Sequence, residues 1–393
     1  MKNQSIAIAF LISVPALEAQ VMSGPMVGHT TDESCLIWVQ DAEAEILTVN
    51  FWPAESGEDS SEEAVIRPRR GSPGVFLGQL EGLAPRTKYE FKIGAAGGES
   101  SRGSFVTAPP QGKPAKFRYA LTSCIDFKQF PVQEAWGQVR REKPDFHLMV
   151  GDNVYADSTG YEVLWEHHLK QRSVKGFDWI LANVPNYATW DDHDFGPNDS
   201  HAGTAGKETS LRAFRDVWAN PSYGTEEIPG VFYSFKWADV DYFVMDGRYH
   251  RTDERAPNSP QKTQFGRAQR AWLFEQLKAS RAPFKVVVNG YDIMSSKYPD
   301  ELKVIAGFVK EHRISGVLFH SGDIHRNEFK QQDHGMGYPV TQITSSGIAR
   351  NKIRPWAMIE VDTTLEDPSL SFRFFEEEKL NDGKTIRLSE LTP

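Results

Sequence analysis

Trp190-Asp191-Asp192-His193-Asp194 is the stretch on which the fold turns. It follows a run with strand character, residues 184–190, and Gly196, Pro197 and Asn198 halt regular structure after it. Three carboxylates and an imidazole at one strand end repel one another unless something positive neutralises them. A bound metal ion is the simplest such partner. Open α/β sheets form sites at the carboxyl ends of their strands, so further strand ends of this kind are expected.

They are present. Residues 117–122 read as a strand and lead into Ser123-Cys124-Ile125-Asp126. Residues 146–150 read as a buried strand and end at Gly151-Asp152-Asn153-Val154-Tyr155. The strand at 284–288 precedes Asn289, and that at 314–320 precedes Ser321-Gly322-Asp323-Ile324-His325. Helical segments are expected at 132–142, 161–171, 208–219, 265–281 and 302–311. Further strands are expected at 231–237, 240–246, 340–343, 357–361 and 370–375. Strands alternating with helices call for a layered α/β domain, assigned here to residues 116–393.

The chain ahead of this has a different texture. Residues 20–108 hold short runs of strand character at 35–39, 46–52, 74–80 and 88–93, separated by Gly, Pro, Ser and Asp. That pattern predicts a small β-sandwich, with 55–74 as a charged loop. Leu83 to Tyr89 looks like the turn and tyrosine of fibronectin-type sandwiches. A proline-rich linker spans 109–115. Residues 1–19 combine Lys2, an apolar run and small residues near Ala19, which reads as a secretory leader and points to a secreted or periplasmic protein.

Composition narrows the function classes. The 393 residues carry 44 basic and 53 acidic side chains, a net charge of −9, and no basic block that would neutralise a nucleic-acid backbone. No run reaches transmembrane length. The two cysteines, Cys35 and Cys124, imply no disulfide framework; Cys35 reads as a core thiol in a strand. No oligomeric state follows from the pattern.

Taken jointly, Gly151-Asp152-x-x-Tyr155, Trp190-Asp191-Asp192-His193 and Ser321-Gly322-Asp323-x-His325 resemble the metallophosphoesterase blocks in the form found in PhoD-like alkaline phosphatases/phosphodiesterases. Ser123-Cys124 matches too, as does the opening Ser23-Gly24-Pro25-Met26-Val27-Gly28-His29. The resemblance implies an α/β/β/α sandwich behind a fibronectin-like β-sandwich, and a dinuclear centre. Asp152 would bridge two ions. Cys124, Tyr155 and His325 would hold one, and this set suits Fe(3+). Asp192, Asn289 and Asp323 would hold the other, an all-oxygen set of the kind Ca(2+) prefers. Cys124-x-Asp126 stands where the wider superfamily has Asp-x-His, and either residue can bind. The implied reaction is hydrolysis of phosphomonoesters or phosphodiesters by a hydroxide held between the ions.

Other roles follow with less pattern behind them. His193 is placed as the acid or transition-state partner, with Asp191 and Asp194 orienting it. Arg248 and Arg251, straight after an apolar strand, are expected to fork onto the substrate phosphate. The plain structural readings are a capping role for Asp152 and Asp323, packing for Tyr155, a turn role for Asn289 before Gly290, and ion pairs for Arg248 and Arg251. Alternative functions are a phospholipase D-like phosphodiesterase acting on lipid headgroups, or an inactive secreted binding protein.

Overall fold

A computed structural model describes residues 22–72, 74–95, 100–377 and 379–393. The leader expected at 1–19 lies outside them. Among the described residues no helix is long and apolar enough to cross a membrane.

The first part of the chain forms two antiparallel sheets. One is ordered Met22–Thr30, Cys35–Asp41, Val75–Leu80, and the other Glu62–Ile66, Leu47–Pro53, Lys88–Gly94, Ser100–Val106. Alternation along the strands turns Cys35, Ile37 and Val39 of one sheet onto Val49, Phe91 and Ile93 of the other, and these close a common core. The expected tyrosine corner is formed: the Ala84 amide donates to Tyr89 Oη at 2.9 Å. Three strands depart from the sequence expectation. Met22–Thr30 was expected as an opening motif and not as a strand. Glu62–Ile66 lies in the segment expected as loop: Ile66 is buried and Ala64 packs half-buried against the core, but Glu62, Glu63 and Val65 are exposed and mask the pattern. Ser100–Val106 is an edge strand whose one fully buried side chain is Phe105.

From Lys116 onward two six-stranded mixed sheets stack. The first is ordered Asn186–Thr189, Phe146–Val150, Lys116–Thr122, Trp356–Asp362, Ser369–Glu376, Lys379–Arg387. The second is ordered Tyr233–Trp237, Val240–Val244, Lys285–Val288, Val317–Ser321, Val340–Ser345, Asn327–Gln332. Their inner faces share one aromatic core, in which Tyr187 stacks on Phe235 at 3.9 Å and Tyr119 meets Tyr242 edge-on. Trp136 and Ile180, from helices Ala135–Glu142 and Phe177–Asn183, cover the outer face of the first sheet. Leu273 and Ile305, from helices Arg267–Ala279 and Pro299–Glu311, join the shared core from the second sheet's side.

Helix Phe177–Asn183 and strands Asn327–Gln332 and Lys379–Arg387 were not expected. The helix is only seven residues long, and the strands are mostly polar. The cluster at 191–194 also departs: it winds one helical turn, Asp192–Phe195, before Gly196 stops it.

The sandwich is clamped to the α/β part. Trp38 Nε1 donates to the Asp216 carbonyl at 2.8 Å, and Tyr187 Oη donates to the Thr30 carbonyl at 3.0 Å. Gly28 is required here. A Cβ on it would stand 2.3 Å from Ala219 Cβ and 2.5 Å from the Ala219 carbonyl oxygen.

Candidate active site

Parallel pairing aligns the carboxyl ends of strands. Phe146–Val150 pairs in parallel with Lys116–Thr122 and Asn186–Thr189, and Lys285–Val288 does so with Val240–Val244 and Val317–Ser321. The residues that follow these strands therefore meet along one edge of the sandwich. Cys124, Asp152, Asp323 and His325 all adopt left-handed backbone, with φ of 60°, 49°, 71° and 52°. Such strain in non-glycine residues persists where a site holds side chains in fixed directions.

The side chains converge. Ligand atoms of Cys124, Asp152 and His325 lie within 4.8 Å of one another, as do those of Asp152, Asp192 and His193, and those of Asp191, Asp192 and Asp323. Asp152 belongs to the first two groups and Asp192 to the last two. Tyr155 Oη donates to Asp152 Oδ2 at 3.2 Å and lies 3.0 Å from His325 Nε2. Cys124 Sγ is 3.4 Å from Asp152 Oδ2 and 3.1 Å from Ser346 Oγ. Asn289 gives its amide nitrogen to the Tyr291 carbonyl at 2.7 Å, which fixes the direction of its oxygen. Gly247 makes room for that oxygen, since a Cβ there would meet it at 2.6 Å.

The electrostatics test whether this set fits cations. Burial, followed by the charges of Asp192 and Asp191, pushes the Asp152 carboxyl well above the usual carboxylate range. Burial and then Asp191 raise Asp323 to about 7. Burial and then Asp152 raise the Cys124 thiol. Burial also works to raise Asp192, but Arg248 and His193 outweigh it and hold that group low. Asp191 Oδ2, Asp192 Oδ1 and Asn289 Oδ1 are buried without a hydrogen-bond partner. Unsatisfied buried acceptors cost about 1–3 kcal/mol each unless something pairs with them. A donor set of thiol, phenol, imidazole, carboxylate and amide oxygen, short of positive charge, fits divalent or trivalent metal.

Several sequence expectations are corrected. Asp126 does not join the cluster: its carboxylate takes Arg350 at 2.6 Å and the amide of Lys128 at 2.9 Å, because the chain turns away after Cys124. Arg248 is not free to fork onto substrate. It is 1% exposed, and its Nε donates to Asp191 Oδ1 at 2.5 Å while its Nη2 lies 3.5 Å from Asp192 Oδ1. Arg251 is fully buried too, bonded to Tyr298 Oη and Glu254 and lying 4.1 Å over the Tyr291 ring.

Asp191 and Asp194 do not orient His193. The helical turn aims Asp191 at Arg248, and Asp194 accepts the amides of Asp191, Asn153 and Val154. The carboxylate on the imidazole is Asp157, whose Oδ1 lies 2.6 Å from His193 Nδ1. Asp157 carried no signal beyond lying two residues after Tyr155. Ser346, which also accepts the His325 amide, and Arg350, stacked 4.3 Å over Tyr155, were missed as well. The loop at 201–206 borders the buried arginines: Ala202 N donates to the Arg251 carbonyl at 2.9 Å.

Stacked mixed sheets, flanking helices and a metal-fitting edge define a metallophosphoesterase fold. The chain belongs to the PhoD-like phosphatase family, whose model matches residues 119–354. It is 23% identical over 343 residues to alkaline phosphatase D of Bacillus subtilis (strain 168), covering 70% of this chain and 59% of that one. It is 25% identical over 205 residues to tartrate-resistant acid phosphatase type 5 of Homo sapiens, covering 50% of this chain and 60% of that one. The chain thus spans about six-tenths of the length of these curated relatives. A solved structure of PhoD superposes with a TM-score of 0.74 at 16% identity, covering 91% of both chains. Purple acid phosphatase PPD1 from yellow lupin (Lupinus luteus) seeds superposes with a TM-score of 0.66 at 12% identity, covering 93% of this chain and 74% of that one.

Proposed function

We propose that this chain hydrolyses phosphate esters, mono- or diesters, at a dinuclear metal centre. The observation that carries the reading is Asp152, shared between two groups of donor atoms at an edge where three buried acceptor oxygens lack hydrogen-bond partners. Cys124, Tyr155 and His325 would hold one ion, and Asp192, Asn289 and Asp323 the other. Their donor chemistry favours a ferric ion for the first set and calcium for the second. The chemistry such a pair supplies when bound is neutralisation of phosphoryl charge and activation of water near neutral pH.

The chain's own residues do the rest. His193 donates at Nδ1 to Asp157, so Nε2 is the nitrogen left to pass a proton to the leaving oxygen. Its ring packs 4.2 Å from the Tyr155 ring, which limits its rotation. Arg248 holds Asp191 and Asp192 in place from beneath and is a positioning residue. Metal analysis of purified protein, paired with turnover of p-nitrophenyl phosphate and its bis ester, tests the reading. About two ions per chain and chelator-sensitive turnover are expected. Metal-free protein, or turnover that survives complete chelation, removes it.

A further inference from the structure

A cavity of about 630 Å³ lies away from the candidate active site. Five of its lining residues are Lys278, Arg281, Lys285, His312 and Arg313, and no carboxylate lines it. This is unusual in a chain of net charge −9. The cations come from the end of helix Arg267–Ala279, the turn after it, the first residue of strand Lys285–Val288 and the turn after helix Pro299–Glu311. Lys278, His312 and Arg313 follow or end helices, where cations offset the helix dipole. Arg281 stands one residue past its helix cap, as Arg313 does, and only Lys285, on the strand, lies beyond that explanation.

Lys285 is buried at the base of the cleft. Its ammonium donates to the Ala282 carbonyl at 2.6 Å and the Ser315 carbonyl at 3.1 Å. An ammonium has three donors, so one remains. The nearest acid, Asp241, is already tied to Lys236 and Ser280. The side chains of Lys278, Arg281 and Arg313 have neither ion-pair nor hydrogen-bond partners among the described residues. Burial pushes Lys285 down to about 8; Asp241 opposes this, and the neighbouring Arg281 adds to it. The cleft is therefore a concave pocket rimmed by the unpaired cations Lys278, Arg281 and Arg313, with Lys285 at its base. Lys285 and Asn289 stand at opposite ends of one strand, about 13 Å apart at ~3.3 Å per residue.

We propose that this cleft is a second anion site that binds a small phosphate-bearing molecule through Arg281, Arg313 and Lys285, separate from the metal centre. Bidentate guanidinium pairing and a buried ammonium are the donors a phosphate group takes. The volume suits a small ligand held in a concavity.

Acetylation of the metal-loaded enzyme at pH 8, with peptide mapping, reads Lys285 directly. Millimolar orthophosphate should slow its modification at least threefold relative to sodium chloride of equal ionic strength. Surface Lys170 should be unaffected. In Arg281→Glu/Arg313→Glu the protection should vanish while turnover of p-nitrophenyl phosphate is unchanged, a control that separates this site from the metal centre. Equal protection by chloride, protection that survives in the double variant, or no protection by orthophosphate overturns the proposal. Protection by phosphatidylglycerol vesicles but not by orthophosphate also overturns it, since the partner would then be a membrane surface.

Discussion

His193 owes its orientation to Asp157, 36 residues earlier in the chain. The Asp157 amide also approaches the His193 carbonyl at 3.4 Å, so backbone and side chain of one loop hold the imidazole together. Removing the carboxylate leaves the ring in place but frees its rotation. Asp157→Asn should lower kcat on phenyl phosphate by about tenfold to a hundredfold, at the lower end of general-acid effects because Asp157 is half exposed. It should leave KM within about twofold, and turnover of p-nitrophenyl phosphate should fall much less, because a good leaving group needs little protonation. An equal loss on both substrates would show a structural role. Arg248 teaches the complementary lesson. From the sequence, an arginine after an apolar strand reads as a hand held out to phosphate. In the fold that hand is closed on Asp191, and a carboxylate so deep requires it.

At the scale of elements, the turn that follows each strand decides what the strand delivers. The turn Asp192–Phe195 and its cap divide the acidic residues: Asp191 and Asp192 face Arg248 and the donor cluster, while Asp194 folds back onto the amides of Asp191 and the neighbouring loop. The linear reading separates Asp192 as a ligand but puts Asp191 and Asp194 on His193, because their true partners depend on helical geometry lasting one turn. Strand Met22–Thr30 makes a second point. Its glycine at 28 lies against Ala219 of the α/β part, where no side chain fits. Gly28→Ala should therefore destabilise the chain by about 1–3 kcal/mol, as overpacking does. Urea unfolding followed by tryptophan emission checks this, since Trp38 lies at the same interface. A change below about 0.5 kcal/mol would mean that the two parts separate freely there.

Across the whole molecule, burial disfavours protonation of His29, His147, His168 and His320, and two of these lie inside the stacked sheets. His147 lies wholly inside, 2.7 Å from Thr122 Oγ1, and burial lowers it from 6.5 to about 4. His320 is 2.7 Å from Tyr119 Oη, and burial lowers it to about 3. Between these values and 6.5 the unfolded chain holds more protons than the folded one, so stability falls as pH drops through that window. By pH 5 each should have removed about 2 kcal/mol relative to neutral pH. Urea midpoints at pH 7 and pH 5 should differ accordingly, and His147→Gln should reduce the difference. A midpoint independent of pH over this range would contradict the assignment.

Local sequence determined the class of this protein. Apolar runs broken by turn residues specify the strands, and the chemistry-bearing residues sit where those runs stop, so Cys124, Asp126, Asp152, Asp192, Asn289, Asp323 and His325 were visible at strand ends, and the resemblance to PhoD-like blocks implied which of them act as ligands. Short polar strands such as Asn327–Gln332 were not, because they carry no hydrophobic period. Tertiary structure alone decided the partners. Which carboxylate reaches His193, that Asp126 turns to Arg350, that Arg248 is buried, and that Lys278, Arg281, Lys285 and Arg313 share one cleft all depend on distances between residues far apart in sequence. Hydrogen bonds and ion pairs act over a few ångströms, and only the packing of the sheets brings those groups within range.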